Sequence, residues 1–414
     1  MNETDELYNI EIETTLEGLR KGNDSFRTFN YYEDLAFQYL NADACKQEIP
    51  QVVVLGRGVP EVLLSAFGIR YRYLLGGSRL AASLSDDLVP RDTDPISRSI
   101  LGELLLPGRS ALTQALFIIP IHSDSLRKIA YLMKEKGYKT FTLDIPPDHS
   151  NKRSLSAWEE QLIIMTDAIS KHTGKHLSMR KLTKALRSVA LSRYQLNTFL
   201  SNSCKSYHDI SGAGKMFLRN CYYYENDPKR WKYHINALNK EVFGTVTGGG
   251  GQNRPRVLLT GSPVIFPNYK VPFLIEEVGL TIADYIDEST IAQNEIFTPG
   301  KSVTLKQAIR EIAESSYRYA ASSSFTNNVA LMSAIHNSIK SGRIEGVIFH
   351  ILKGQIEYDF ELERMTEMFE YYDIPVFRLE TDFQQQDIEQ LRIRLEAFRE
   401  MLSQFHYSSA KKAV

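Results

Sequence analysis

One pattern recurs along the chain and limits its fold more than any other feature. A short β-branched apolar run meets a turn rich in Gly, Pro, Ser or Asp, then an apolar-faced helix, then a second extended run. In the clearest copy, Arg254 to Glu288, Val257–Thr260 forms the run and Gly261-Ser262-Pro263 the turn. Phe273, Leu274, Ile275 and Val278 give the helix its apolar face, Gly279 ends it, and Thr281–Ile286 is the returning strand. That order is a βαβ unit. Ligands of such units sit where the first strand hands over to the helix, because glycine admits close approach and the helix N-terminus offers free N–H groups.

The same pattern opens at Gln51, with strand Val52–Leu55, the turn Gly56, Gly58 and Pro60, a helix, Gly68, and another extended run to Gly77. Each copy has a matching second half. Leu116–Ile119, the turn His122-Ser123-Asp124, a helix closing near Gly137 and a strand ending at Leu143-Asp144 follow the first. Val347–Ile351, the turn Lys353-Gly354-Gln355, a helix through Tyr371 and a strand ending at Glu380-Thr381-Asp382 follow the second. The expected fold is therefore α/β: two similar Rossmann-like or flavodoxin-like parallel-sheet domains related by internal duplication, with an inserted helical region.

A chain of 414 residues exceeds what one core accommodates. The division expected is a helical segment 1–50 packed on the first domain, a first α/β domain 51–150, a helical region 151–244, a linker 245–253, a second α/β domain 254–383 and a C-terminal helix and tail 384–414. Gly76–Asp94 reads as a polar loop inside the first domain. The helical region carries amphipathic patterns from Leu155, Leu177–Leu191 and Leu196–Leu218, broken at Gly212-Ala213-Gly214. Four consecutive glycines within Thr245–Gln252 mark a flexible connector, a phosphate cradle being the alternative. Thr304–Met332 reads as helix with a polar break at Ser322–Asn328, a candidate contact for ligand or partner, and Gln385–Gln404 as an amphipathic helix packed back on the second domain.

Lys plus Arg total 49 against Asp plus Glu 50, a net charge of −1, which gives no global attraction to nucleic acid or to an acidic membrane. No apolar stretch approaches the roughly 18 residues of a membrane span, and Met1–Leu19 lacks a signal-peptide core, so a cytoplasmic location is expected. Cys45, Cys204 and Cys221 are scattered and form neither a disulfide framework nor a metal-binding pair.

Several blocks resemble one family. Val347–Leu402 is similar to the C-terminal end of the D-component of 2-hydroxyglutaryl-CoA dehydratase and its relatives, including benzoyl-CoA reductase. RVLLTGSP with the downstream LIEEVG (Leu274–Gly279) resembles that family's second-domain opening. VPEVLLSAFG (Val59–Gly68) resembles its first-domain motif, and DPISRSILG (Asp94–Gly102) its cysteine-bearing loop. The resemblance implies a subunit that pairs with a homologous subunit and acts anaerobically on acyl-CoA thioesters. It also implies a [4Fe-4S] cluster and a separate ATP-dependent activator that delivers an electron, allowing loss of an unreactive hydroxyl or, in the reductase branch, ring reduction.

At the positions that align with the family's cluster cysteines, this chain has Asp94, Ser123 and Gln355. A carboxylate, a hydroxyl and an amide are poor substitutes for thiolates on iron. The chain is therefore expected to bind no cluster of the family type, with the cluster in a homologous partner. A substitute metal site from Asp94, His122, Ser123 and Asp124 competes with ordinary helix capping.

By the resemblance, Glu61 after the Pro60 turn lies near a substrate thioester and is a candidate acid or base if burial raises its pKa. The alternative is a helix N-terminal carboxylate favoured by the dipole. Ser262 is a candidate donor to a thioester carbonyl or a capping serine. Pro60, Arg57, Gly261 and Lys270 are candidate substrate-binding residues. Arg57, Arg70, Arg72, Arg79 and Lys270 are candidates for CoA phosphates, and otherwise surface cations. Glu276 and Glu277 read as a solvated face, and Glu380-Thr381-Asp382 as residues ordering a loop. Two functions follow: a subunit of a dehydratase or reductase complex that shapes the acyl-CoA site, or a catalytically inactive structural or acyl-CoA-binding partner.

Overall fold

The structure is a computed structural model and describes residues 2–24, 26–47, 49–148, 151–205, 210–244, 254–295, 304–342 and 344–412. The glycine-rich connector lies outside these residues. Two four-stranded sheets carry the fold. The first comprises β1 (Val52–Leu55), β2 (Tyr71–Leu74), β3 (Leu116–Ile121) and β4 (Lys139–Asp144), in the order β2-β1-β3-β4. The second comprises β5 (Arg256–Gly261), β6 (Thr281–Ile286), β7 (Gly346–Leu352) and β8 (Val376–Thr381), in the order β6-β5-β7-β8. All pairings are parallel. The duplication expected from the repeated pattern is thus present, strand for strand.

Burial explains why the central strands were easy to recognise. β1, β3, β5 and β7 are buried throughout, as strands covered on both faces must be, and their sequences are continuous apolar runs. β4 and β8 lie at sheet edges with most residues exposed or half-buried. Side chains alternate between faces. Val52 and Val54 join Val257 and Leu259 in the large central core, whereas Val53 and Leu55, and separately Leu258, belong to outer cores under the flanking helices. The inner faces of both sheets and the helical region therefore share one apolar interior.

Several local expectations need correction. Gly76–Asp94 is not an open loop: Ser78 caps a helix at Arg79–Leu84, its Oγ accepting from the Ala81 N–H at 2.9 Å. Helix Met179–Lys205 runs through the gap expected between two shorter helices, and Gly212-Ala213-Gly214 forms the first turn of helix Gly212–Cys221 instead of a break. The N-terminal segment forms helices Glu3–Asn23 and Phe29–Leu40 and spans both domains. Glu11 accepts hydrogen bonds from Ser78 Oγ and Arg79 N at the first, while Thr15 Oγ1 donates to the Pro267 carbonyl of the second.

The C-terminal helix, Ile388–Lys412, packs back on the second sheet through Leu391, Leu395, Phe398 and Leu402, all buried. Burying each such side chain stabilises the packing by about 1.5–3 kcal/mol. Phe398 and Leu402 approach Gly346 so closely that a Cβ there would lie 2.9 Å from the Phe398 ring. Among the described residues no helix is long and apolar enough to cross a membrane.

Candidate active site between the two sheets

In both sheets the strand order reverses at the central pair, β1/β3 and β5/β7, and the crevice beyond their carboxyl ends is where such sheets bind ligands. Here the two crevices merge. A cavity of about 620 Å³ is lined by the turn after β1 (Gly56–Glu61), the turn after β3 (His122–Ser125), Glu288 and Ser289 after β6, and Gly354 and Gln355 after β7. The volume falls within the usual range for small-molecule sites. Ile96, Ile100, Ile121, Ile145, Trp158 and Ile265 supply apolar wall.

Asp94, Ser123 and Gln355 all line this cavity, although they lie far apart in sequence. Asp94 caps helix Pro95–Glu103: its carboxylate accepts from the N–H groups of Ile96 and Ser97, from Ser97 Oγ, and from Gln355 Nε2 at 2.7 Å. Ser123 caps helix Asp124–Glu135, accepting from the Leu126 N–H at 3.3 Å. The alternative of ordinary capping thus describes both residues. Among the described residues, no group of three or more His, Cys, Asp and Glu side chains is placed to hold a metal ion. Burial lowers the pKa of His122, which lines the same cavity. Cys45 and Cys221 are buried away from the lining, and the side chain of Cys204 lies outside the described residues.

Glu61 lies in the first turn of helix Glu61–Phe67, where the dipole favours a carboxylate. It also lines the cavity, and its Oε2 accepts from Tyr222 OH at 2.8 Å and from Arg193 Nη2 at 3.4 Å. Arg193 bonds Glu295 as well, at 2.8 Å. Arg57 and Pro60 line the cavity too. Arg57 lies 3.7 Å from Asp287, with its guanidinium over the Tyr223 ring, and its buried Nε has no hydrogen-bond partner among the described residues. The polar break expected at Ser322–Asn328 contributes Ser322 to Phe325 to the lining, and the Ser322 and Ser324 hydroxyls donate to the His122 carbonyl across the domain boundary.

Other candidates lie elsewhere, for physical reasons. Gly261 has φ +104°, and a Cβ there would fall 2.1 Å from the His350 carbonyl: the close approach it permits is to β7, not to a ligand. Ser262 is buried, its N–H donates to the His350 carbonyl at 2.7 Å, and its Oγ accepts from the Leu352 N–H at 2.9 Å, which continues the β5–β7 pairing. Lys270 is buried among Thr381, Asp382, Gln384 and Asp387. Arg72 is buried against the Tyr39 ring, while Arg70 and Arg79 are exposed outside the lining. Glu276 is not a solvated residue, because it accepts from the Gly212 N–H and burial raises its pKa to about 7; Glu277 is exposed and pairs with Arg392.

Sequence reasoning missed Arg193, Tyr222, Tyr223, Glu288, Glu295 and Tyr358, the last lining the cavity with its hydroxyl donating to Glu288. Nothing local marks the three that come from the helical region. Glu288 did leave a signal: Asp287 and Thr290 form a capping box just after β6, so Glu288 had to occupy a helix first turn at the carboxyl end of a strand.

The profile of the family described as 2-hydroxyglutaryl-CoA dehydratase, D-component, matches residues 58–402. A curated relative, the "Putative dehydratase subunit YjiM" of Escherichia coli (strain K12), is 21% identical over 262 residues, covering 63% of this chain and 67% of its own length. The match covers most of the chain, from the turn after β1 to the C-terminal helix, and the chain belongs to the 2-hydroxyglutaryl-CoA dehydratase D-component family.

Proposed function

We propose that this chain is a subunit of a dehydratase-type complex acting on an acyl-CoA thioester. It forms walls of the acyl site, while a homologous partner subunit carries the [4Fe-4S] cluster and an ATP-dependent activator serves the complex. The observation that carries this reading is the convergence of Glu61, Arg57, Asp94, Ser123 and Gln355 on a single cavity at the carboxyl ends of both sheets. Family membership and the name of the curated relative support the dehydratase assignment.

The residues at the family's cysteine positions do not suit an iron–sulfur cluster. Thiolates hold such clusters, and here the Asp94 carboxylate is occupied by helix capping and by Gln355, while the Ser123 hydroxyl caps another helix. The chemistry assigned to this chain is accordingly binding and proton handling. Arg193 and Tyr222 hold Glu61 in place, the isoleucines accommodate an apolar acyl chain, and Arg57 presents a partly paired cation.

Butyryl-CoA titrated calorimetrically into the co-purified complex tests the site. Ala321→Trp, which fills the cavity from its lining, should weaken binding at least about tenfold, whereas Lys270→Met, outside it, should not. Equal affinity in wild type and Ala321→Trp would place the thioester elsewhere.

A further inference from the structure

We propose that Arg57 is an anion-binding residue of the interdomain cavity and reads a carboxylate on the acyl group of the ligand. The chain then prefers thioesters of dicarboxylic acids to those of neutral acids of the same length. This inference rests on the thioester reading above. Arg57 precedes the family match, which begins at residue 58, and its role follows from its surroundings in this chain.

The Arg57 side chain lines the cavity, only 14% exposed, with its guanidinium over the Tyr223 ring. A guanidinium carries five N–H donors. None of them has a hydrogen-bond acceptor among the described residues. Nε is buried without a partner, and the nearest carboxylate oxygen, Asp287 Oδ2, lies 3.7 Å from Nη1, beyond hydrogen-bond distance. Asp287 is committed elsewhere, accepting from the Thr290 N–H, Ser289 Oγ and Tyr285 OH. Withdrawing a cation from water is costly unless acceptors replace the water. The fold offsets the charge of Arg57 in part and leaves its donors open. The other two arginines of the lining are differently placed: Arg193 is held by Glu61 and Glu295, and Arg127 is mostly exposed and pairs with Asp144.

Charge favours a carboxylate over a phosphate as the anion. Glu61, Asp94, Glu288 and Glu295 line the same cavity, and one guanidinium beside Asp287 does not offset a doubly charged phosphate against them. A carboxylate brings a single charge, and its two oxygens match the guanidinium fork in parallel N–H···O bonds. Ile96, Ile100, Ile121 and Ile265 supply apolar wall for the methylenes of a short acyl chain. A neutral acyl group fills the same wall but leaves the buried donors unpaired, which is how a hydrogen-bonding site rejects an analogue.

The test is calorimetric titration of the co-purified complex with succinyl-, glutaryl- and adipoyl-CoA against butyryl-, pentanoyl- and hexanoyl-CoA. At least one dicarboxylic thioester should bind about tenfold or more tightly than its neutral counterpart. Arg57→Gln should abolish that preference while neutral thioesters stay within about threefold of wild type. Arg79→Gln, at an exposed arginine outside the lining, should leave the preference intact. Thermal unfolding separates lost binding from lost fold: Arg57→Gln should melt close to wild type without ligand and lack the rise that the preferred thioester gives wild type. Should Arg57→Gln melt far below wild type, Arg57→Lys carries the comparison, its point charge without a fork giving a reduced preference. Equal binding within every pair by wild type, or a preference that survives Arg57→Gln, overturns the role of Arg57 and leaves the thioester reading standing. Equal weakening of neutral and dicarboxylic thioesters by Arg57→Gln assigns the cation to the CoA phosphates common to both and also overturns it. If no thioester binds, but free succinate, glutarate or adipate binds wild type and not Arg57→Gln, the anion site stands and the thioester reading falls. If neither thioesters nor free dicarboxylates bind, both fall.

Discussion

Gln355 Nε2 donates a hydrogen bond to Asp94 Oδ1 at 2.7 Å, joining the turn after β7 to the cap of helix Pro95–Glu103 in the other domain. Both residues are buried. The contact therefore links helix capping to domain closure at the edge of the cavity.

Asp94→Ala should remove a helix cap worth about 1 kcal/mol and leave the Gln355 amide without its acceptor, at a further cost of about 1–3 kcal/mol. Urea denaturation should show a loss of about 2–4 kcal/mol. Asp94→Asn keeps an oxygen for the cap and should lose less. A loss below about 0.5 kcal/mol for Asp94→Ala would show that the interdomain bond contributes little to stability.

Lys270 is a fastener of the second domain. Its ammonium bonds Thr381 Oγ1, the Asp382 and Gln384 carbonyls and Asp387 Oδ1. Burial lowers the pKa of Lys270; for Asp387, burial acts upward but the hydrogen bonds from Lys270 and Thr381 outweigh it and lower the pKa. Removing one partner of such a buried pair costs about 3–5 kcal/mol. Lys270→Ala should show that loss in thermal or urea unfolding, with acyl-CoA affinity unchanged. Weakened affinity at full stability would restore Lys270 as a ligand contact.

Glu276 gives stability a pH dependence of known sign. Its folded pKa, about 7, lies above the ordinary carboxylate value because burial penalises the charge. The native state therefore binds the extra proton between the two values, and the stabilisation is present below about pH 4.5 and lost as pH rises through about 7. Glu276→Gln, which retains an acceptor for the Gly212 N–H, removes this dependence. Its stability relative to wild type should improve by roughly 2–3 kcal/mol between pH 5 and 8. Parallel stability curves across that range would show that Glu276 is solvated after all.

How much of this was legible in sequence depended on whether the signal was local. The central strands announced themselves because parallel strands buried on both faces are unbroken apolar runs, and Gly68 and Gly279 marked helix ends through their left-handed backbones. Asp94, Ser123 and Gln355 were found through resemblance, and the structure brings them to one cavity. Ser262 and Gly261 were misread because a Gly-Ser turn after a strand looks the same whether it faces a ligand or the neighbouring strand; only the register of β5 against β7 distinguishes the two. Lys270 was misread because its partners lie in a segment distant in sequence. Arg193 and Tyr222 reach Glu61 from the helical region, a long-range contact that no periodicity encodes.

The most direct measurement is anaerobic purification of the tagged chain with whatever accompanies it, followed by iron and acid-labile sulfide assays on the separated subunits. The account predicts a homologous companion that holds iron and sulfide, with neither in this chain. Iron and sulfide in this chain alone would contradict the reading of Asp94, Ser123 and Gln355, and the absence of both cluster and companion would contradict the assignment to a dehydratase-type complex.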